Sequence, residues 1–344
     1  MLNWFKSYLS GRSQFLKVNN IVSSSSSISY GVPQGSILGP LLFLIFINDI
    51  GFIPNLKFKP KLFADDANVF ISGKNQNELQ VNCQDTLKIL NNWIIANRLT
   101  LNLKKTCYML FSTNSSSVNP EEFSLKIDSY AINRVPNIKF LGVIIDEKLE
   151  WTPHIEELKA NLRRLVGIFY KISPNTPYNI MKLLYFALVH SKLIYGIEIY
   201  ANTYLTNLHD LIILNNRILR ITQKTNRYTH VQDLYLAYKI LPINKLFDYR
   251  LLLHAHAVIN KSENMPSFFH DTFVMNNQIH EHNTRSQQNV HRTSFQTPTG
   301  RKTTTNLCSQ LWNALPNEIK QIGPEIIFKN VLKNFSLEQL SNSR

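Results

Sequence analysis

Residues 62–70 read Leu-Phe-Ala-Asp-Asp-Ala-Asn-Val-Phe, two adjacent carboxylates set into an apolar run. Side by side in an apolar setting, Asp65 and Asp66 would repel each other and lose water, so one would be driven to take a proton. Two arrangements remove the conflict: a multivalent cation between the carboxylates, or a solvated surface turn. The short apolar runs at 61–64 and 68–71 have the form of two strands, which puts the acids at the tip of a hairpin.

Upstream of this pair, 15–21 and 28–32 read as strands, with the serine run 23–27 as the loop between them. Ser36 is positioned as a helix N-cap, with Pro40 in the first turn, where proline is tolerated. Downstream, Leu79, Cys83, Leu87, Leu90 and Ile94 recur at steps of four, four, three and four, one apolar stripe of a helix over 75–97. The period then changes: Leu99, Leu101 and Leu103 alternate as in a strand, 108–111 continues as a second, and 114–120 is loop. The runs 123–127 and 138–145 read as a further hairpin. This half is α+β, a small antiparallel sheet with helices rather than a βαβ repeat. After Trp151 the pattern turns helical, at 153–171, 178–200, 205–222 and 244–260. Residues 283–316 hold no acid, are rich in Ser, Thr and Gln, and carry Arg285, Arg292, Arg301 and Lys302. Their composition predicts an extended surface segment. Trp312 and the apolar residues 326–340 predict a short closing helix.

The whole chain has 344 residues, 44% of them hydrophobic, enough for two domains with real cores. Its net charge of +14 points to a polyanionic partner, nucleic acid or an acidic membrane surface. Cys83, Cys107 and Cys308 are odd in number and far apart, which argues against a disulfide framework and a cysteine zinc site. The pairs His254/His256 and His280/His282 have no accompanying cysteines and read as surface features rather than a metal site. The first residues lack the apolar core and cleavage site of a secretion signal, so the expected location is intracellular, in nucleus or cytoplasm. Residues 37–47 are too short to span a membrane, and 181–200 carry Lys182, His190, Lys192 and Glu198. Both are expected to be buried helices, with no membrane partner.

Three further segments bear on the acid pair. Gly31-Val32-Pro33-Gln34-Gly35-Ser36-Ile37-Leu38-Gly39-Pro40 brackets a rigid proline with glycines that permit close backbone approach, and Gln34 offers both donor and acceptor. An ordinary strand-to-helix turn would explain the glycines but not the whole string. Leu101-Asn102-Leu103-Lys104-Lys105-Thr106 places a lysine after the helix, where a solvated basic loop is the bland alternative. Lys139-Phe140-Leu141-Gly142-Val143-Ile144-Ile145-Asp146 is a strand with an embedded glycine.

In this order and spacing, the four segments resemble the reverse transcriptases of non-LTR, LINE-type retrotransposons, especially the jockey-like group. The glycine-proline string resembles motif B, Phe63-Ala64-Asp65-Asp66 motif C, the lysine segment motif D, and Phe140-Leu141-Gly142-Val143 with Trp151 and His154 motif E and the entry to the thumb. Trp4-Phe5-x-Ser7-Tyr8-Leu9-Ser10-x-Arg12-x-Gln14 and the tail around Thr284-Arg285 and Leu311-Trp312-Asn313-x-Leu315-Pro316 are also similar to that family. RNA-dependent RNA polymerases and group II intron maturases share the paired aspartates, but the flanking residues fit LINE-type elements better.

The resemblance implies a palm-type polymerase subdomain at 1–148, a mainly helical thumb at 149–265 and a basic C-terminal region at 266–344. It implies an RNA-directed DNA polymerase using two magnesium ions, with Asp65 as the main metal ligand and Asp66 a weaker one. Gln34 and Gly35 would line the nucleotide and template pocket, Phe63 and Ala64 would support the primer end, and Lys105 would face pyrophosphate as proton donor or charge partner. The partners would be an RNA template, a DNA primer or target DNA, and a dNTP. The family's remaining metal-binding aspartate, in motif A, and its fingers lie upstream of the segment matching Trp4 to Gln14. The expectation is therefore a truncated chain, poorly able to hold both ions and inactive alone, unless the upstream part of the same element's protein joins it. The competing expectation is a non-catalytic nucleic-acid-binding remnant.

Overall fold

The computed structural model describes residues 2–342 except 30, 34, 112–118, 120–121, 264, 280–288, 293–294 and 296. The chain divides into two compact units, Met1–Val135 and Pro136–Arg344. Both mix helix with small two-stranded sheets, so the α+β expectation holds at that level.

The first unit opens with α1 (Leu2–Leu9), followed by β1 (Arg12–Gln14), β2 (Lys17–Val18), β3 (Ile21–Val22) and β4 (Ser26–Ile28). Here the structure corrects the strand reading. The tight hairpin is β2–β3, turning at Asn19, whose φ is +55°, and part of the serine run lies in β4, paired with β1 through Ser13↔Ser27. The repeated serines hid a strand because their side chains are exposed on both faces and carry no period-2 signal. Helix α2 (Leu38–Ile47) ends in a short 3-10 turn, Asn48–Phe52. The hairpin β5 (Lys61–Phe63) and β6 (Asp66–Asn68) follows, and then α3 (Gln76–Ala96), capped by the Asn75 side chain accepting the Glu78 N–H at 2.9 Å.

The two faces of α3 build two small cores. Cys83 packs with Phe123, Leu125, Ile127 and Ile132, while Leu90 packs with Ile47, Ile50 and Leu56. Residues 99–106 form turns, not the strand read from the leucine alternation, although Leu101 and Leu103 do pack on the first of these cores. Alternation marked the inward side correctly; backbone bonds such as Leu103 N–H to Leu101 O take the place of a ladder. The second strand of that reading shrinks to β7 (Cys107–Tyr108). The segment expected to pair with 138–145 instead forms its own hairpin, β8 (Lys126–Ile127) with β9 (Tyr130–Ala131), and β10 (Asn133–Arg134) runs parallel to β7. The predicted loop 114–120 lies, Asn119 apart, outside the described residues.

The second unit begins with β11 (Asn137–Phe140) and β12 (Val143–Asp146), paired Phe140↔Val143 across a two-residue turn. Helices follow: α4 (Thr152–Ile172), α5 (Tyr178–Tyr185), α6 (Ser191–Ile194), α7 (Ile197–Tyr200), α8 (Leu205–Thr222), α9 (Val231–Tyr238) and α10 (Ile243–Ile259). Short α11 (Asn276–Ile279) and α12 (Pro298–Arg301) lead to α13 (Thr304–Ala314), α14 (Asn317–Lys320) and α15 (Glu325–Asn342). The helix read over 178–200 is interrupted by a π segment, Phe186–His190, and by Gly196 at φ +64°. A Cβ at Gly196 would stand 2.8 Å from Val143 Cγ2, so the break is where the chain presses on β12.

The expectation of an extended 283–316 fails over α13, where Cys308 and Trp312 are buried. Its Ser/Thr/Gln composition masked the helical stripe Leu307, Cys308, Leu311, Trp312. The core of this unit runs through α4, α8 and α10, with Leu162, Phe169, Leu211, Ile218 and Val258 fully enclosed. Each such side chain stabilises the fold by roughly 1.5–3 kcal/mol. Lys159 of α4 is nearly buried between Glu156, 2.7 Å away, and Asp210 of α8, 2.8 Å away, an ion triad that ties those helices together. Among the described residues no helix is long and apolar enough to cross a membrane.

Candidate active-site hairpin

The acid pair lies where the sequence placed it. Ala64 and Asp65 form the two-residue connection between β5 and β6, and Asp66 pairs with Phe63. Ala64 takes φ +52°, a left-handed conformation that costs a non-glycine residue about 1 kcal/mol. Leu62 and Val69 turn toward the core shared by α2 and α3, which anchors the hairpin and leaves Phe63, Ala64, Asp65 and Asp66 exposed. The conflict posed by adjacent carboxylates is therefore relieved by hydration, and among the described residues no cation pairs with either.

Both side chains offer hard oxygen donors, the type magnesium takes. Their chemistry fits such an ion; their number covers only part of its coordination. Among the described residues no group of three or more His, Cys, Asp or Glu comes together as a metal cluster.

The glycine-proline string forms a tight turn into α2. Gly31 and Gly35 both take φ +79°, where a side chain would be strained. The Ser36 hydroxyl is the node: it donates to Pro33 O at 2.7 Å, and accepts from Gly39 N–H at 3.1 Å and from Tyr8 Oη at 2.8 Å. The Ser36 side chain thus caps the start of α2, as the sequence predicted, from two residues before the helix proper. A Cβ at Gly39 would meet Ser36 Oγ at 3.0 Å and Pro33 O at 3.2 Å, so this glycine is fixed by crowding. Arg12 donates through Nη2 to Gly31 O and through Nε to Leu9 O. The sequence did not reveal that Tyr8, in α1, and Arg12, at the start of β1, clamp the turn. Gln34 lies outside the described residues.

Lys105 sits in an exposed turn, its N–H donating to Asn102 O at 3.0 Å. Among the described residues its ammonium has no carboxylate partner. The hairpin β11–β12 belongs to the second unit, where Asp146 ends β12.

Comparison with known proteins agrees with the resemblance. Residues 1–145 match the model of the family described as reverse transcriptase (RNA-dependent DNA polymerase). The chain is 28% identical over 228 residues to the probable RNA-directed DNA polymerase from transposon BS of Drosophila melanogaster, covering 62% of this chain and 24% of that protein. It is 24% identical over 272 residues to the RNA-directed DNA polymerase from mobile element jockey of the same species, covering 74% and 29% respectively. Against the jockey polymerase of Drosophila funebris it is 27% identical over 251 residues, covering 68% and 26%. The chain spans about a quarter of the length of these curated relatives. The longer alignments reach past residue 145, so similarity extends into the second unit. Residues 1–145 are thus similar to the reverse transcriptase family, and the chain as a whole to RNA-directed DNA polymerases of mobile elements.

Proposed function

We propose that this chain supplies part of an RNA-directed DNA polymerase: a palm segment over residues 1–148, a helical thumb over 149–265, and a basic C-terminal region over 266–344. The observation that carries the reading is the β5–β6 hairpin, which presents Asp65 and Asp66 together and exposed. Asp65 and Asp66 would hold a divalent cation, whose charge would polarise phosphate oxygens and lower the pKa of an attacking hydroxyl. The exposed Phe63 would pack against the primer end, with Ala64 small enough to let it approach. Gly35, with Gln34 beside it, would border the template and nucleotide. Lys105 would neutralise a leaving pyrophosphate. The partners on this reading are an RNA template, a DNA primer or target and a dNTP.

The carboxylate count favours a chain that polymerises poorly by itself and gains a further acid from another segment of its element's protein. A second reading, nucleic-acid binding without catalysis, is favoured by the net charge of +14. Primer extension on an RNA template, with magnesium and then manganese, tests both beside an Asp65→Asn control. Extension lost in the variant supports the hairpin as the site, and extension that persists in it removes that assignment. No extension, with salt-sensitive primer–template binding retained, supports the binding reading. Absence of binding at low salt sinks both.

A further inference from the structure

The turn that leads into α2 is held by hydrogen bonds from distant residues rather than by close packing. Gly31 and Gly35 are exposed, and a Cβ at either would meet nothing within 4 Å, whereas one at Gly39 would be crowded. The left-handed backbone at the first two positions therefore faces open space, where a ligand can approach the main chain closely. Arg12 donates to Gly31 O at 2.5 Å and to Leu9 O at 3.1 Å, so one guanidinium joins the end of α1 to the start of the turn. Arg12 is paired with Ile28 of β4, the strand that runs into the turn, which keeps the donor in register. Tyr8 donates to Ser36 Oγ at 2.8 Å, and Ser36 passes the constraint on to Pro33 O.

Helix α1 supplies the Tyr8 contact without filling a core. None of its residues is buried, so apolar packing does not account for its attachment. Trp4 instead stacks on Tyr8, with ring centroids 5.3 Å apart and planes within 9°, which fixes the direction of the phenol. A half-buried side chain, stacked in place and hydrogen-bonded 28 residues away, serves the placement of its partner.

We infer that Tyr8 and Arg12 are positioning residues that set where Gly35 stands against an incoming nucleotide and its template base. This role presupposes the polymerase reading of the turn, in which Gly35 borders the nucleotide. Neither side chain touches the nucleotide; Tyr8 acts through Ser36, and Arg12 through the Gly31 carbonyl. Displacing the turn by about 1 Å weakens nucleotide placement and leaves the hold on primer and template as it was.

The test uses the full chain on an RNA template with a dideoxy-terminated DNA primer, so that no bond formation is needed. Manganese and the complementary dNTP are added, and the dNTP concentration that makes the complex resist a heparin challenge is measured. Tyr8→Phe keeps the ring and its stack on Trp4 and removes only the hydroxyl; a cooperative thermal melt verifies that it folds. It is expected to raise the half-saturating dNTP concentration by about fivefold, the effect of one hydrogen bond, with primer–template affinity in the absence of dNTP unchanged. A merely structural role would weaken both. Arg12→Lys, which lacks the fork that spans two carbonyls, should act the same way. In a Ser36→Ala background Tyr8→Phe should add nothing, because its hydroxyl acts only through Ser36. A half-saturating concentration unchanged in Tyr8→Phe and Arg12→Lys overturns the assignment and leaves the polymerase reading standing, and so does an equal loss of primer–template affinity. Absence of any dNTP-dependent complex in the unaltered chain removes the nucleotide role of the turn, and this proposal with it.

Discussion

Removal of the Asp146 carboxylate is expected to loosen the whole entry to the helical unit. Asp146 is 8% exposed and accepts three backbone N–H groups: Lys148 and Glu150 at 3.1 Å on Oδ1, and Trp151 at 2.7 Å on Oδ2. It holds the turn in which Leu149 and Trp151 both take left-handed conformations, φ +54° and +65°, directly before α4. In Asp146→Ala the N–H groups of exposed Lys148 and Glu150 regain water, a loss of roughly 0.5–1 kcal/mol each. The Trp151 N–H belongs to a buried residue and is left unpaired, which costs about 1–3 kcal/mol. The sum is about 3 kcal/mol. For a unit of this size the urea midpoint should fall by about 1 M, followed by tryptophan fluorescence. Asp146→Asn, which keeps one acceptor oxygen, should lose about half as much. A shift below ~0.3 M for Asp146→Ala would refute the reasoning, because it would mean the turn holds its strained residues without the carboxylate.

Two further outcomes are expected. Gly142→Ala should destabilise the second unit by about 2 kcal/mol, since φ is +85° and the new Cβ would lie 2.9 Å from Tyr195 Cε1; an unchanged melting temperature would count against this packing. Burial lowers the pKa of His154, His190, His254 and His256 below 6.5. The unfolded chain therefore binds more protons as pH falls through 6.5, and stability should drop from there toward the folded-state values. Thermal melts between pH 7.5 and 5 read this, and His256→Gln should flatten the slope; a profile level across that range would contradict it.

Local patterns were legible where one period governed one element. The stripe from Leu79 to Ile94 gave α3 almost to its ends, and the long helices α4, α8 and α10 were placed within a residue or two. The acid pair was placed on its hairpin because the flanking apolar residues, Leu62 and Val69, must face a core. Features set by contacts distant in sequence were not legible. The break at Gly196 exists because β12 lies against it, and nothing in residues 178–200 alone announces Val143. Tyr8 meets Ser36 across 28 residues, so the clamp on the glycine-proline turn had no local signature. The orphaned Nε2 of His154 depends on a backbone N–H ten residues earlier in the chain.

The contacts around the β11–β12 turn also bear on mechanics. Tyr195 reaches back to Leu141 O, and Gly196 bears on Val143, so strand and helix break are keyed together at two points. A two-stranded ribbon alone would flex freely. This one takes its position from the bundle behind it, and a small rotation of α6 or α7 would be delivered to the ribbon's tip as a displacement. Substitutions deep in the helices, far from any turn, therefore become a means of steering where Leu141 and Gly142 stand.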